Sequence, residues 1–366
     1  MIPTCNVTFR VDASQEIGLG HLRRCLTLAG QLRDIGCKVR FVCRDQLGLS
    51  IAPLAASYIV CRLDRGSRIV ASSMLADEEL WDADATLSVI GRDEVDTSWV
   101  VVDSYRLGRR WERKVRDAGH RVMVIDDFRD RMHHADLLVS DSEIPFDPAL
   151  NERSGLVRTL VGREYALIGP EYAHSDTPVS RRTGPKRLLV SYGGSDRTGE
   201  TMKAITAVGS LRENAAACDL LGRVDVVVGQ LNPVAEDIAR AVQGIQDVVV
   251  HMAPPGLAKL MRAADLFLTA GGNSMVEALA LRKPCLVTVT GDNQALMVGQ
   301  LAAEGMIRSL GAQHAVAPDD VAEGIVDILT EFEVFATHVA SRPLFDHLGA
   351  QRIAAAMLMS LELASR

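Results

Sequence analysis

The sequence lacks the features that mark several large classes of protein. No apolar run reaches the roughly 18 residues of a membrane-spanning helix, so no stable membrane insertion is expected. The seven cysteines are an odd number, scattered and without a C-x-x-C pair, which argues against a disulfide framework or a zinc site and for reduced thiols. The net charge of −7 gives no electrostatic support for a nucleic-acid partner. Because no basic or signal-type segment begins the chain, we expect it in the cytoplasm.

The chain does contain enough sequence for two soluble domains. Its 366 residues are 48% apolar and 24% charged, which fits a pair of α/β domains of ordinary size. The polar stretch 171–186 is predicted to be a linker between an N-terminal domain at 1–170 and a C-terminal domain at 187–366. A helix that begins near Leu348 is expected to close the second domain.

The first half of the sequence predicts a parallel sheet. Residues 6–12 alternate like a strand, a glycine turn follows at 18–20, and apolar residues then recur at helical spacing until Gly36. Such a strand–loop–helix–strand unit is the building block of a parallel sheet. Further strands of this half are predicted at 38–43, 99–103, 121–126 and 137–140.

After the linker the same order of elements begins again. Strands are predicted at 187–191, 224–228, 248–250, 266–269 and 285–289. Helices are predicted at about 199–212, 233–243, 255–263 and 273–282. The fold class is therefore α/β, with two Rossmann-type doubly wound parallel-sheet domains that face a central cleft. Sheets of this kind bind ligands beyond the carboxyl ends of their strands.

The first candidate site is a glycine turn in the first half. Gly18 and Gly20 allow a sharp turn with room for a ligand, and His21 then lies at the start of a helix. Imidazole exchanges protons near neutral pH, so His21 is a candidate general base. The alternative is an ordinary turn in which His21 packs or caps the helix. The dinucleotide fingerprint is absent, since Arg23 occupies the place of its third glycine.

The second candidate site follows a strand of the second half. Gly271 and Gly272 turn the chain there, and Asn273 or Ser274 is predicted to cap a helix. Exposed amides at the positive end of a helix make a cradle for phosphate. Glu277, one turn further on, is placed to accept hydrogen bonds from ribose hydroxyls. A capping box, in which Glu277 reaches back to the first amides of the helix, is the alternative.

Two more loops follow predicted strands of the second half. Gly193, Gly194 and Ser195 are small and offer backbone amides, which suit phosphate contact but also a plain turn. Asn293 and Gln294 offer polar groups suited to recognising sugar substituents, although a surface loop is an equally simple account of them.

Polar residues also end the strands of the first half. Asp103 and Asp126 are placed to orient a base or to bind a hydroxyl, although aspartates in such places also cap helices. His133 and His134 resemble a metal-binding pair, but adjacent side chains diverge and no matching cluster accompanies them. No metal and no other cofactor is therefore expected.

Taken in order, these motifs resemble those of the UDP-sugar hydrolases of pseudaminic acid biosynthesis. Those enzymes are themselves similar to GT-B glycosyltransferases of the peptidoglycan N-acetylglucosaminyltransferase type. The matching motifs extend over nearly the whole chain and are Arg10-Val11-Asp12-Ala13-Ser14, Gly18-Leu19-Gly20-His21-Leu22-Arg23-Arg24, Val101-Val102-Asp103-Ser104-Tyr105, Ile125-Asp126-Asp127, Gly193-Gly194-Ser195-Asp196, Gly271-Gly272-Asn273-Ser274-Met275-Val276-Glu277-Ala278 and Asp292-Asn293-Gln294.

The resemblance implies an enzyme that releases UDP from a UDP-linked 2,4-diacetamido-2,4,6-trideoxy sugar, with inversion and cleavage of the anomeric C–O bond by water. It implies His21 as the base that activates the water. It implies that Tyr105 and Asn293 contact or position the sugar. Further candidates for binding the sugar are Gly18, Gly20, Arg24, Asp103 and Gln294. It implies that the diphosphate is held by Gly193, Gly194, Gly271, Gly272 and Ser274, and the ribose by Glu277. Ser195 and Asn273, in the same two loops, are further candidates for binding the nucleotide. A UDP-sugar is thus the expected partner of a monomer or weak homodimer.

Two departures from the family pattern lie on the sugar side. The family shows His-Tyr-Gly where this chain has Ser104-Tyr105-Arg106. It also tends to carry asparagine-rich residues where this chain has Ser140-Asp141-Ser142-Glu143. Both changes leave open the identity of the sugar and of the acceptor.

Two other functions are compatible with the sequence. A GT-B glycosyltransferase would pass the same donor to a carbohydrate or lipid acceptor. A lipid acceptor calls for an apolar and basic patch on the first domain, and the sequence shows no clear one, although Arg106, Arg109, Arg110 and Arg113 form a basic cluster. A solvated helix face accounts for that cluster equally. A non-catalytic sugar-nucleotide-binding protein is the third hypothesis, and it gives no reason to keep His21.

Overall fold

The structure is a computed structural model that describes residues 5–14, 16–44, 56–63, 75–91, 99–128, 131–143, 158–173, 184–342 and 344–364. Contacts within the chain divide it into two compact units. The first comprises Met1–Leu167 together with Leu348–Arg366, and the second comprises Ile168–His347. Each unit has a parallel sheet of its own. Within the described ranges, no helix is long and apolar enough to cross a membrane.

The first unit contains a seven-stranded parallel sheet in the order β3-β2-β1-β4-β5-β6-β7. Its strands are β1 (Asn6–Val11), β2 (Lys38–Arg44), β3 (Ile59–Leu63), β4 (Trp99–Asp103), β5 (Arg121–Ile125), β6 (Leu137–Ser140) and β7 (Arg158–Val161). Its helices are α1 (Gly20–Asp34), α2 (Leu75–Ile90), α3 (Arg109–Asp117) and, from the end of the chain, α12 (Gly349–Ala364). The strand order reverses between β1 and β4, which is the point where sheets of this kind bind ligands.

A buried ion network holds α2 near the carboxyl end of β1. The fully buried Arg10 donates to both oxygens of Asp82 on α2, at 2.9 and 2.7 Å. It also donates to both oxygens of Asp12, at 2.6 and 2.9 Å. Trp111 Nε1 donates to Asp82 at 2.9 Å. Because a buried guanidinium needs close anionic partners, Arg10 and Asp12 in the first motif have a structural role.

The final helix packs on the first unit, although the sequence predicted it in the second. The buried residues Ile353, Ala354 and Met357 of α12 belong to the same apolar core as Leu28 and Leu32 of α1. An amphipathic helix packs where an apolar face of matching shape is available, and α1 offers one. The C-terminal domain therefore does not extend to residue 366, because the last 19 residues return to the first unit.

The predicted linker at 171–186 lies mostly outside the described residues. Its start belongs to a 3₁₀ turn at Pro170–Tyr172, and its last residue begins the first strand of the second unit. Residues 174–183 are not described.

The second unit contains a six-stranded parallel sheet in the order β10-β9-β8-β11-β12-β13. Its strands are β8 (Lys186–Ser191), β9 (Leu221–Val228), β10 (Val248–Met252), β11 (Leu266–Ala270), β12 (Cys285–Val289) and β13 (Arg308–Ala312). Its helices are α4 (Glu200–Arg212), α5 (Ala215–Leu220), α6 (Ala235–Ala241), α7 (Ala258–Ala263), α8 (Asn273–Ala280), α9 (Asp292–Ala303), α10 (Pro318–Thr330) and α11 (Phe332–Ser341). The strand order reverses between β8 and β11, as it does between β1 and β4.

Candidate active site

The turn after β1 places His21 at the carboxyl end of the first sheet. Gly18 donates its backbone N–H to the carbonyl of Ser14 at 2.7 Å, and this closes the turn. Gly18 has φ +80°, a conformation that favours glycine. Helix α1 then begins at Gly20, and His21 is its second residue. The predicted position of His21 at a helix start is confirmed.

His21 pairs with a carboxylate that comes from the neighbouring strand. Asp103 is the last residue of β4, and in the sheet it lies beside Val11 at the end of β1. The His21 Nδ1 and Asp103 Oδ1 atoms are 2.6 Å apart. Asp103 is only 1% exposed and His21 is 9% exposed. The strand order thus brings together two residues 82 positions apart in the sequence.

Arg24 fixes the carboxylate that faces His21. One helical turn after His21, its Nε and Nη2 atoms donate to Asp103 Oδ2 and Oδ1 at 2.6 and 2.7 Å. Arg24 Nη2 also lies 3.1 Å from His21 Nδ1. A carboxylate only accepts hydrogen bonds, so Nδ1 must carry the proton in its short contact with Asp103. The neutral ring then has its lone pair on Nε2, as a general base requires.

The charges of this group stabilise one another. Burial alone would raise the pKa of Asp103, but the charge of Arg24 and the hydrogen bonds from Arg24 and His21 more than offset it, so the pKa of Asp103 lies well below its usual range. Burial alone would lower the pKa of Arg24, but Asp103 and Asp127 raise it well above its usual value. Both side chains therefore stay ionised. Their observed contacts give them a positioning role, and the predicted contact of either one with a sugar stays a prediction.

Tyr105 and Asp127 complete the surroundings of His21. The Tyr105 hydroxyl donates to Asp127 Oδ2, and Arg24 Nη1 donates to Asp127 Oδ1 at 2.5 Å. The Tyr105 ring packs edge-on against His21, with ring centroids 4.6 Å apart. Burial and the charge of Asp127 raise the pKa of Tyr105 far above its usual value, so it remains a neutral phenol. No role was predicted for Asp127 from the sequence. Its position after β5, the strand next to β4, could have indicated that it lies near Asp103.

Asp141 adds a carboxyl group whose charge varies near neutral pH. It follows β6, the strand next to β5, so it lies at the same sheet edge as Asp127. Burial and the negative charge of Asp127 raise the pKa of Asp141 to about 6, although Arg24 acts in the opposite direction. Among the described residues, the cation of Arg24 thus interacts with the carboxyl groups of Asp103, Asp127 and Asp141.

Asp126 and His133 do not join this group and instead form a second cluster. His133 Nδ1 lies 2.7 Å from Glu112 Oε1, and His133 Nε2 lies 3.2 Å from Asp126 Oδ2. All three side chains are fully buried. The hypothesis that Asp126 orients the base is therefore wrong, since its partner is His133. In the part of the chain that the structure describes, no group of three or more side chains is arranged to hold a metal ion.

This buried cluster predicts a loss of stability at alkaline pH. Burial alone would lower the pKa of His133, but hydrogen bonds and charges from Asp126 and Glu112 raise it to about 9. The folded pKa thus exceeds the unfolded value of 6.5, so this contribution is complete below pH 6.5 and is lost as the pH rises to about 9. The loss should be on the order of 3 kcal/mol. Denaturant unfolding at several pH values measures it.

The matched control for this measurement is the neighbouring histidine. His133→Gln should remove the alkaline slope of the free energy of unfolding. His134→Gln should retain it, since the side chain of His134 is not part of the cluster. Parallel pH profiles for the wild type and His133→Gln would contradict the assignment.

In the second unit, the glycine turn after β11 leads directly into α8. The N-cap is Gly272, with φ −103° and ψ −158° in the extended region, and the helix begins at Asn273. The prediction that Asn273 or Ser274 caps the helix is therefore wrong, since both lie inside its first turn. The positive end of the helix dipole therefore lies at the loop that follows β11. Glu277 lies one turn further along and is mostly buried.

The turn is held in place by α9. A Cβ atom on Gly271 would overlap Val298 Cγ2, so glycine is required there for packing. Gln294 Oε1 accepts hydrogen bonds from the Gly271 and Thr290 amides, at 3.1 and 2.9 Å. Gln294 and Asn293 lie in the first turn of α9, and the alternative of a surface loop is wrong for them. The observed role of Gln294 is to hold the glycine turn, and its contact with a sugar stays a prediction.

The loop after β8 lies next to β11, at the same switch point of the second sheet. Gly193 has φ +80°, and the Gly194 carbonyl accepts from Leu231 N at 2.9 Å. Ser195 is buried. Asp196 accepts from the first two amides of α4, Glu200 N and Thr201 N, both at 3.0 Å. The loop is thus a structured turn that joins β8 to α4 at the reversal of the strand order.

Comparison with known proteins supports this description of the fold. No family model matches the chain. Spore coat polysaccharide biosynthesis protein SpsG of Bacillus subtilis is 24% identical over 202 residues, which are 55% of this chain and 58% of that protein. The matched part is thus less than two thirds of that relative's length. A UDP-2,4-diacetamido-2,4,6-trideoxy-beta-L-altropyranose hydrolase of Campylobacter jejuni is 20% identical over 304 residues, 82% of this chain and 97% of that protein.

Two solved structures resemble nearly the whole chain. MurG of Acinetobacter baumannii superposes with a TM-score of 0.67 at 14% identity, over 96% of this chain and 99% of its own. Arabidopsis thaliana UGT89C1, solved in complex with UDP, also gives a TM-score of 0.67 at 14% identity, over 97% and 100%. The fold is GT-B. This confirms the predicted fold class, and the weak similarity to the Campylobacter jejuni hydrolase confirms the resemblance seen in the motifs.

Proposed function

We propose that the protein hydrolyses a UDP-linked 2,4-diacetamido-2,4,6-trideoxy sugar and releases UDP and the free amino sugar, a precursor for nonulosonate biosynthesis. Water attacks the anomeric carbon, the bond from that carbon to the bridging oxygen breaks, and the configuration inverts. The observation that carries the proposal is the buried pair of His21 and Asp103 at the switch point of the first sheet.

His21 is the proposed general base. Asp103 accepts the Nδ1 proton at 2.6 Å and so leaves the lone pair on Nε2, which can take a proton from water. When Nε2 becomes protonated, the imidazolium faces a carboxylate that is already ionised, and no further proton needs to move. Inversion follows if the water held by His21 attacks from the side opposite to UDP.

The second unit is proposed to hold the nucleotide. The amides of Gly272, Asn273 and Ser274 at the start of α8 suit the diphosphate, and the positive end of the helix stabilises the charge that develops on UDP as it leaves. Glu277, one turn into the helix, is the proposed partner of the ribose hydroxyls. The remaining proposed nucleotide contacts are Gly193, Gly194, Ser195 and Gly271.

The residues proposed for the sugar divide into those that contact it and those that position His21. Tyr105 and Asn293 keep their proposed contact with the sugar, because the Tyr105 ring lies against His21 and Asn293 lies in the first turn of α9. Gly18 and Gly20 make room for it. Arg24 and Asp103 act through His21, which their observed hydrogen bonds support.

A glycosyltransferase that uses the same donor is the second candidate. The fold favours it, since both solved structures at a TM-score of 0.67 have a fold used by glycosyltransferases. The basic residues considered for a lipid acceptor are largely on the surface, and Arg106 pairs with Glu78 at 2.9 Å. That ion pair is as consistent with a solvated face as with an acceptor site.

Release of UDP without an acceptor tests the proposal. The protein is incubated in buffer with a panel of UDP-linked amino sugars, and UDP is quantified with and without added carbohydrate or lipid acceptors. Turnover in water alone, unchanged by any acceptor, is the expected result. Turnover that requires an acceptor would replace the hydrolase by the transferase, and no UDP release from any donor would contradict both.

Two adjacent glycines give a matched test of the proposed phosphate site. A Cβ atom on Gly272 would meet only Gln294 Nε2, at 3.8 Å, whereas one on Gly271 would overlap Val298. Gly272→Ala should therefore fold as stably as the wild type but bind UDP about tenfold more weakly or worse, because the methyl group occupies the approach to the amides. Gly271→Ala should lose about 1–3 kcal/mol of stability through overpacking.

The two alanine variants are compared by calorimetric titration with UDP and by denaturant unfolding. Val298→Ala combined with Gly271→Ala should recover part of the lost stability, since it removes the atom that the new methyl group would overlap. If Gly272→Ala binds UDP with wild-type affinity, the diphosphate does not lie at this turn.

A further inference from the structure

The buried cluster of His133, Glu112 and Asp126, called the buried trio below, connects to both loops that surround His21. Asp126 directly precedes Asp127 in the chain. Its Oδ1 atom accepts from Phe128 N at 3.2 Å and its Oδ2 atom lies 3.2 Å from His133 Nε2. The backbone on both sides of Asp127 is therefore fixed by one fully buried carboxylate.

Arg131 ties the other loop to the same place. Its Nη1 and Nη2 atoms donate to the carbonyls of Tyr105 and Ser104, at 2.8 and 3.3 Å. Its Nη2 atom also lies 3.8 Å from Asp126 Oδ1. The Phe128 ring packs against Tyr105, with centroids 4.9 Å apart. Arg131 and Phe128 thus connect the loop after β4 to the loop after β5, beside Asp126 of the buried trio.

The charges require the imidazole of His133 to donate from both nitrogens. It lies between the carboxylates of Glu112 and Asp126, and only the imidazolium form has two N–H donors. Glu112 is on α3, and its other oxygen accepts from the His134 amide. With the partly exposed Arg131 beside Asp126, two cations face two carboxylates, so the charges of the cluster are balanced.

We propose that the buried trio is a positioning device for Asp127 and Tyr105, and through them for His21. Asp127 receives hydrogen bonds from Arg24 and Tyr105, and Arg24 fixes the carboxylate that orients the imidazole of His21. A shift of the loop that carries Asp127 would therefore move Arg24 and Tyr105, which both contact His21. The three side chains of the trio are fully buried, so its effect on the rate is indirect.

The test compares His133→Gln and Glu112→Gln with His134→Gln as the matched control. His133→Gln should lower kcat by about 10–100-fold through misplacement of the reacting groups, with little change in KM or in UDP affinity. Glu112→Gln keeps His133 beside Asp126 but removes one carboxylate that favours the imidazolium form. If the trio positions His21, kcat of the wild type should fall as His133 loses its proton near pH 9, and this alkaline limb should move to lower pH in Glu112→Gln. His134→Gln should keep both the wild-type rate and the wild-type pH profile.

Folding is checked by circular dichroism, and Glu112→Gln remains informative if His133→Gln does not fold, because its readout is the position of a pH limb. A folded His133→Gln with wild-type kcat would overturn the inference. So would equal loss of kcat in His134→Gln, or an alkaline limb that stays in place in Glu112→Gln.

The rate measurements rest on the proposed function, so a readout without substrate separates the two. The imidazole signal of His21 in proton–nitrogen correlation spectra is assigned by its absence in His21→Gln. It should shift in His133→Gln and stay in place in His134→Gln. Absence of UDP release from the wild type would contradict the proposed function alone. An unshifted His21 signal in His133→Gln would contradict the positioning role, whatever the activity.

Discussion

His21→Ala should lower the rate of UDP release by about 10²–10⁴-fold, the range typical for the loss of a general base. The expected loss is in kcat, because the substituted side chain acts on water and the proposed nucleotide contacts all lie in the second unit. UDP affinity should therefore stay near the wild-type value. Stability should change modestly, because Asp103 keeps its two hydrogen bonds from Arg24.

His21→Gln and an exposed histidine serve as comparisons for that variant. Glutamine can still accept a hydrogen bond but cannot take a proton at neutral pH, so His21→Gln should be as inactive as His21→Ala. His314→Ala, which changes an exposed residue of the second unit, should keep the wild-type rate. A folded His21→Ala protein that releases UDP at close to the wild-type rate would show that His21 is not the base.

Asp103→Asn should reduce both activity and stability. The amide cannot neutralise Arg24, which stays buried and charged, and breaking a buried ion pair from one side costs about 3–5 kcal/mol. Asparagine can also donate to His21 Nδ1, which places the lone pair on the wrong nitrogen, so kcat should fall on the order of 10²–10⁴-fold. Denaturant unfolding and the rate of UDP release measure the two effects separately.

Asp127→Asn is the matched control for this change. It removes the other anionic partner of Arg24 but leaves the contact between His21 and Asp103 intact. It should lose stability as well, with a clearly smaller loss of kcat. An equal loss of kcat in the two variants would mean that the tautomer of His21 is not what Asp103 controls.

The effect of acid on stability follows from the same ion pair. The pKa of Asp103 is depressed in the folded protein, so its contribution is present above the unfolded value of about 4 and is lost as the pH falls below it. The unfolding free energy of the wild type should therefore decline in acid, and Asp103→Asn should lack that part of the decline.

The interior strands of both sheets could be predicted from the sequence because they are buried on both faces. β4 and β6 were predicted at their observed bounds, since short runs of Val and Leu bounded by polar residues are typical of buried parallel strands. The strands β3, β7 and β13 were not predicted. They lie at sheet edges, where exposed positions interrupt the apolar run.

The site could be predicted in part, for reasons of topology. A switch point brings the ends of β1 and β4 together, so His21 and Asp103 could be expected near each other from strand order alone. The sequence could not show which aspartate pairs with which histidine, because the pairing depends on the conformation of loops only a few residues long. Asp126 and Asp127 are adjacent in sequence yet serve His133 and Arg24 respectively.

The sequence predicts the helix α12 but not the unit on which it packs. Its apolar periodicity predicts a helix correctly, but periodicity does not say which of two apolar faces it will cover. Similarly, the glycines at 271 and 272 look alike in the sequence. Only the position of Val298 shows that the first is needed for packing and the second leaves open space.

Hydrolysis in ¹⁸O-labelled water tests the central claim most directly. The wild-type protein is given a UDP-linked diacetamido-trideoxy sugar without any acceptor, and the products are analysed by mass spectrometry and by NMR of the anomeric proton. We predict label in the sugar and none in UDP, an inverted anomer as the first product, and loss of both products in His21→Ala. Label in the phosphate, a retained anomer, or undiminished turnover in His21→Ala would contradict hydrolysis at the anomeric carbon by water that His21 activates.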